Sequence, residues 1–236
     1  MPPLTIQISP QFFIVPTMRS WINSFILIED DGSLTLVDCG LKSAPQKIVA
    51  AIKSLNHGMS DIKRVILTHA HDDHAGGAAK VIELIGKPQV IAHEEEREYL
   101  ESGKTPSQDY SHFAGKFFRH LPSGGFSPIA VQKSVTDGET LPIGGGLQVI
   151  HTPGHTPGHV SLLHLPSGTL ITGDSIFNYG LKVSWSLSAF CTNFKQSKAT
   201  ALRFLDLDFT TAAFTHGPHI HDRGKTVLKK FLHTRN

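Results

Sequence analysis

The stretch Thr68-His69-Ala70-His71-Asp72-Asp73-His74-Ala75-Gly76-Gly77 places three histidines and two adjacent carboxylates within six residues, directly after the apolar run Val65-Ile66-Leu67. His69 and His71 are two apart, so an extended backbone points both rings the same way. Asp73 and His74 follow once the chain has turned and face a second point a few ångströms away. The chain holds 15 His, so a histidine-rich surface is the plain alternative. Four N/O donors this close, however, repel or desolvate one another without a cation between them. The stretch therefore predicts metal binding, and Asp73 is also the carboxylate that could orient a nucleophile and take its proton.

Other strand ends carry the same residue types. Leu147-Gln148-Val149-Ile150 leads into His151-Thr152-Pro153-Gly154-His155-Thr156-Pro157-Gly158-His159. Three histidines at a spacing of four suggest a helical face, but Pro153, Gly154, Pro157 and Gly158 exclude a helix. Only one of the three needs to reach a metal. Leu170-Ile171-Thr172-Gly173 ends in Asp174, which reads either as a turn or cap residue or as a carboxylate bridging two cations. Leu36-Val37 ends in Asp38, either a cap for the next helix or a group bracing the histidine loop from behind. Thr210 to Phe214 leads into His216-Gly217.

The His69–His74 run resembles the HxHxDH signature of the metallo-β-lactamase-fold hydrolases, mostly binuclear metalloenzymes. The resemblance extends from about Asn23 to Ile220. It implies a four-layer αβ/βα sandwich of two mixed β-sheets flanked by helices. It also implies that His69, His71 and His155 hold one metal, that Asp73, His74 and His216 hold another, and that Asp174 is shared. Asp38 and His159 then support the ligands, and His151 is structural. Imidazole and carboxylate without thiolate suit two Zn2+, and also allow iron or manganese. The reaction implied is hydrolysis of an ester, lactone or thioester of a small molecule by a bridging hydroxide. Mononuclear iron chemistry of the persulfide-dioxygenase kind and β-lactamase-like amide hydrolysis are the alternatives. Branches that hold glutathione use a C-terminal helical domain, and 20 residues follow His216 here. Lactonases place a Tyr three residues after the bridging acid; here that place is Phe177, with Tyr179 two further on.

The elements that must position these residues alternate. Gln11–Val15, Ile22–Glu29 and Ser33–Cys39 read as strands, Ser43–Leu55 as a helix, Lys63–Leu67 as a strand, and Ala78–Ile85 as a helix. Pro88–Ala92, Val131–Val135 and Gly146–Ile150 are expected strands, followed by a hairpin over His159–Asp174. Gln196–Leu205 reads as a helix, Thr210–Phe214 as a strand and Thr226–Leu232 as a last helix. The strand, turn, strand, acid order of Asn23–Asp38 recurs in Val160–Asp174 and suggests two similar halves. Glu94-Glu95-Glu96-Arg97-Glu98 reads as a solvated acidic helix. It opens an aromatic-rich segment at about 94–126 that either packs on the core or forms a pocket wall, with Tyr110 and Phe113 as lining candidates. Phe177, Tyr179, Trp185 and Phe190 are candidates for the opposite wall.

Bulk numbers narrow the classes. With 236 residues, 39% hydrophobic and 18% charged, the chain has the make-up of a globular protein of one domain. A formal charge of +2 without a basic block points to neither nucleic acid nor an anionic membrane, leaving a small molecule as the expected partner. The opening Met-Pro-Pro-Leu-Thr lacks a basic patch followed by an apolar core, and the two cysteines, Cys39 and Cys191, form no CxxC pair. A cytoplasmic location with reduced thiols is the expectation. The oligomeric state is open, with a homodimer allowed.

Overall fold

The computed structural model describes residues 3–108, 125–179 and 182–234. Tyr110 and Phe113 lie outside the described residues, as does most of the expected aromatic wall. The first half runs β1 (Ile6–Ser9), β2 (Phe12–Pro16), β3 (Asn23–Ile28), β4 (Leu34–Val37), α1 (Pro45–Ser54), β5 (Ile62–Ile66), α2 (Asp72–Ala75), α3 (Ala78–Ile85), β6 (Gln89–His93), α4 (Arg97–Ser102) and β7 (Lys133–Val135). The second half runs β8 (Thr140–Leu141), β9 (Leu147–His151), β10 (Val160–His164), β11 (Thr169–Ile171), β12 (Ile176–Asn178), β13 (Val183–Trp185), α5 (Phe194–Ala201), β14 (Thr211–Ala213) and α6 (Gly224–Thr234).

The first seven strands form one sheet in chain order, antiparallel from β1 to β4 and parallel from β4 to β7. The second sheet has the order β14-β11-β10-β9-β8, with β11 and β14 parallel. Both sheets are mixed.

Why these strands read as unbroken apolar runs is clear from where alternate side chains go. In a strand successive residues face opposite sides. Phe12, Ile14, Phe25, Leu27, Ile66 and Ile91 meet Val149, Leu162 and Ile171 between the sheets. Their neighbours Phe13, Val15, Ile26, Val65 and Val90 pack outward with Ile48, Ile52 and Val81 from α1 and α3. On the far side Leu163, Leu170 and Ala212 pack with Phe204, Leu228 and Leu232. Strands buried on both faces need no polar face, and the result is helix, sheet, sheet, helix. This is the expected four-layer sandwich.

Direction matters most for the site. β4, β5 and β6 are parallel, so Asp38, the His69–His74 loop and His93 leave the first sheet at one edge. β11 and β14 are parallel and β9 runs the same way two reversals earlier, so His155, Asp174 and His216 leave the second sheet together. Two backbone bonds join the edges: Val160 N–H to Thr68 O at 3.1 Å and Asn23 N–H to Thr215 O at 2.8 Å.

Candidate metal centre

After β5 the chain bends through Thr68–Ala70, is extended at His71, and then turns into the single-turn helix α2 that carries Asp73 and His74. Gly76 permits that turn, because a Cβ there would sit 2.0 Å from Asp72 O. Behind the loop lies Asp38, fully buried and in a left-handed conformation with φ of 58°. An unpaired buried carboxylate costs several kcal/mol, yet this one accepts three bonds. Thr68 N–H reaches Oδ1 at 2.8 Å, while the Thr68 hydroxyl and His74 Nδ1–H each reach Oδ2 at 2.8 Å.

These bonds fix tautomers. His74 carries its proton on Nδ1 and turns a lone pair on Nε2 inward. The Thr68 hydroxyl is committed to Asp38, so it accepts from His69 Nδ1–H at 3.1 Å, which frees His69 Nε2. His216 Nδ1–H donates to Trp21 O at 2.7 Å, freeing its Nε2.

The free nitrogens converge in two groups. His71 Nδ1 lies 3.1 Å from His69 Nε2 and 3.0 Å from His155 Nε2. His74 Nε2 lies 3.4 Å from His216 Nε2, and Asp73 Oδ2 lies 3.3 Å from that same atom. Between the groups sits Asp174. Its Oδ2 is 3.2 Å from both His155 Nε2 and His216 Nε2, and its Oδ1 is 3.2 Å from His74 Nε2. The donors of a tetrahedral ion with bonds near 2.0–2.1 Å stand about 3.3 Å apart. Converging lone pairs at these spacings fit a cation in each group.

Asp174 is itself held from three sides. The Thr215 hydroxyl donates to Oδ1 at 2.7 Å. The Asp174 N–H donates to His159 Nε2 at 2.7 Å, and His159 Nδ1 faces Thr152 O at 3.1 Å. Gly173 precedes it with φ of 54°, and a Cβ there would meet His159 Nε2 at 2.5 Å. Only glycine lets the acid and the histidine come this close.

Charge in the metal-free chain divides the cluster. Burial, followed by neighbouring imidazoles, lowers His69 well below its usual range and His71 to about 3. Burial also opposes charge on His155 and His216, but Asp174 outweighs it and carries them up to about 10 and about 9. His74 is raised in the same way by Asp174 and Asp73. Burial would raise the acids in turn, yet the surrounding histidines hold Asp73 and Asp174 well below the carboxylate range. Protons thus stand where cations would otherwise balance two carboxylates.

A buried acid in the turn before α4 corrects the expected solvated helix. Glu94, Glu95 and Glu98 are exposed, but Glu96 is fully buried. Its Oε2 accepts Ala70 N–H and its Oε1 accepts Gly158 N–H, both at 2.7 Å. Glu96 therefore clasps the loop of His69 and His71 to the loop of His155. A Glu-Glu-Glu run carries no local sign of which member turns inward.

The wall candidates separate. Phe177 packs on His216 with ring centroids 4.4 Å apart, and Tyr179 lies 5.5 Å from Phe177. Trp185 is a correction: its ring lies 4.8 Å from Phe231 and joins the outer cluster under α6. Phe190 is exposed in the turn before Cys191, whose Sγ is 3.5 Å from His155 Nδ1. Trp21 was not among the candidates, yet it is 55% exposed and its ring lies 5.2 Å from that of Tyr179. Which way a tryptophan in the β2–β3 connection faces is settled only by the fold, so no signal in the sequence marked it.

Comparison with known proteins agrees with this geometry. The profile of the Metallo-beta-lactamase superfamily matches residues 20–216. "Uncharacterized protein YobT" of Bacillus subtilis is 29% identical over 86% of this chain and 88% of its own. "Hydroxyacylglutathione hydrolase GloC" of Haemophilus influenzae is 25% identical over 71% of this chain and 73% of its own. The solved structure of metallo-beta-lactamase SMB-1 bound to 2-mercaptoethanesulfonate superposes with a TM-score of 0.73 at 19% identity, covering 99% of this chain and 96% of that one. The chain spans about half the length of several further curated relatives.

Proposed function

The chain belongs to the metallo-beta-lactamase superfamily, and from that premise we propose that it is a binuclear, zinc-dependent hydrolase of a small-molecule ester, lactone or thioester. The observation that carries this reading is the position of Asp174, whose one carboxylate oxygen lies 3.2 Å from His155 Nε2 and 3.2 Å from His216 Nε2. One acid reaching both nitrogen groups suits a pair of cations that would share its carboxylate. His69, His71 and His155 would hold one, Asp73, His74 and His216 the other, with Asp174 shared.

When bound, the cations supply Lewis acidity and a hydrolytic nucleophile near neutral pH. The protein's own groups do the rest. Asp73, whose side chain is 25% exposed while His74 is enclosed, opens toward solvent. The oxygen of its carboxylate left free of a cation would orient a water and take its proton. Tyr179 is 41% exposed, and burial with the nearby acids keeps its phenol neutral by pushing it up to about 12. It serves as an O–H donor toward a substrate oxygen. Trp21, Phe177 and Tyr179 form an apolar wall beside His216 for the acyl or leaving group. Similarity to a hydroxyacylglutathione hydrolase supports the thioester arm.

Elemental analysis run beside a screen of esters, lactones, thioesters and nitrocefin tests the proposal. At least two zinc ions per chain and ester- or thioester-class turnover, abolished by Asp73→Ala, are expected. One iron per chain with oxygen uptake on glutathione persulfide overturns it, as does tight metal binding without any turnover.

A further inference from the structure

A second group of metal-ligating side chains lies away from the central cluster. One ring nitrogen each of His93 and His151 and a carboxylate oxygen of Glu95 fall within 4.8 Å of one another. His93 closes β6 and His151 closes β9, so one residue comes from each sheet. Their rings stack with centroids 3.9 Å apart and planes 15° apart. His93 is 3% exposed, whereas Glu95 is exposed and, with His151, lines a surface cavity of about 180 Å³. That volume holds several waters at about 30 Å³ each, room enough for an ion that keeps part of its hydration.

The protonation states suit ligation. His151 Nε2 lies 2.9 Å from Pro157 O, and a carbonyl only accepts, so the proton is on Nε2 and Nδ1 keeps its lone pair. His93 Nδ1 accepts only a long 3.3 Å bond from Glu95 N–H. Two imidazoles with one carboxylate form a donor set for late transition metals rather than for calcium or magnesium, which prefer oxygen.

We propose that His93, Glu95 and His151 form an accessory site for a divalent transition metal, with zinc as its simplest occupant. Parallel rings send their lone pairs side by side, so binding splays them, and the part-exposed His151 turns toward the cavity. An ion held there would pin the end of β6 to the end of β9. Those ends lead directly into Glu96 and into the loop of His155. The site is independent of the hydrolase reading, since none of its ligands belongs to the central cluster.

The test is calorimetric titration of ZnCl2 into protein whose central cluster is already saturated, with melting temperature followed in parallel. One further equivalent and a further rise in melting temperature are expected. His151→Ala and Glu95→Gln should each lose both while keeping the ions bound first. Glu95 is exposed, so its variant should fold normally whatever His151→Ala does. No further equivalent in the unsubstituted protein overturns the proposal, as does one that both variants retain. Should the central cluster bind no metal, the same titration reads the accessory equivalent alone.

Discussion

The backbone N–H of Asp174 donates to the imidazole of His159 at 2.7 Å, and that ring makes no contribution to either nitrogen group. Its work is to hold the acid's main chain. His159→Ala should leave a buried N–H unpaired, at a cost of about 1–3 kcal/mol in chemical denaturation. Zinc affinity should fall by about 10–100-fold, the range for groups that orient ligands. His159→Gln, whose amide oxygen can accept the same bond, should recover part of both. Unchanged zinc affinity in His159→Ala would refute the positioning role.

Glu96 makes a similar argument for the loops. Each of its two oxygens satisfies one backbone N–H, at Ala70 and at Gly158. Glu96→Ala should cost about 1–3 kcal/mol for each donor orphaned. Glu96→Gln should sit between, because its NH2 would face one of the two donors. Zinc titration distinguishes loop registration from plain destabilisation: affinity should fall even at temperatures where the variant is fully folded.

The pH dependence of the metal-free chain follows from the shifted histidines. His155 and His216 bind protons more tightly folded than unfolded, at about 10 and about 9 against 6.5. Their contribution is full below pH 6.5 and is lost as pH rises through 9 to 10. His69 and His71 are lowered, so their contribution is full above pH 6.5 and is lost as pH falls through their folded values. Denaturation midpoints without metal should therefore peak near neutrality and decline on the alkaline side. Saturation with zinc should flatten the alkaline decline, because the ions displace those protons, and uptake at pH 7 should release protons measurable with an indicator dye. An alkaline decline identical with and without zinc would contradict this.

Ligands should separate from bystanders on substitution. His155→Ala should lose metal from the first group, while His221→Ala, with a side chain 59% exposed, should retain it. Metal content after dialysis reads the difference, and the reverse pattern would mean that the wrong histidines have been assigned.

Much of the scaffold was readable along the chain. Runs such as Phe25-Ile26-Leu27 and Val65-Ile66-Leu67 are apolar on both faces because each sheet is covered on both sides, and the strands appear near their expected positions. β1 was not anticipated, and the two residues of β8 and the ribbon of β12 and β13 were too short to stand out. Within the candidate site, His69, His71, Asp73 and His74 could be grouped by local spacing alone. His155, Asp174 and His216 could not, since their meeting depends on which strands run parallel, and only family resemblance selected them. Glu96 and Trp21 escaped because burial of one acid in a run, and the facing of one loop tryptophan, are tertiary facts with no periodic signature. Trp185 was misread for the same reason: an aromatic residue in an irregular stretch does not reveal whether α6 or a substrate covers it.

The central claim is that two cations share Asp174. Anomalous scattering recorded at the zinc edge from crystals of the zinc-loaded protein tests it most directly. The account predicts two peaks about 3.5–4 Å apart, one among His69, His71 and His155 and one among Asp73, His74 and His216, with Asp174 between them. A single peak at either group, or none beside Asp174, would contradict it.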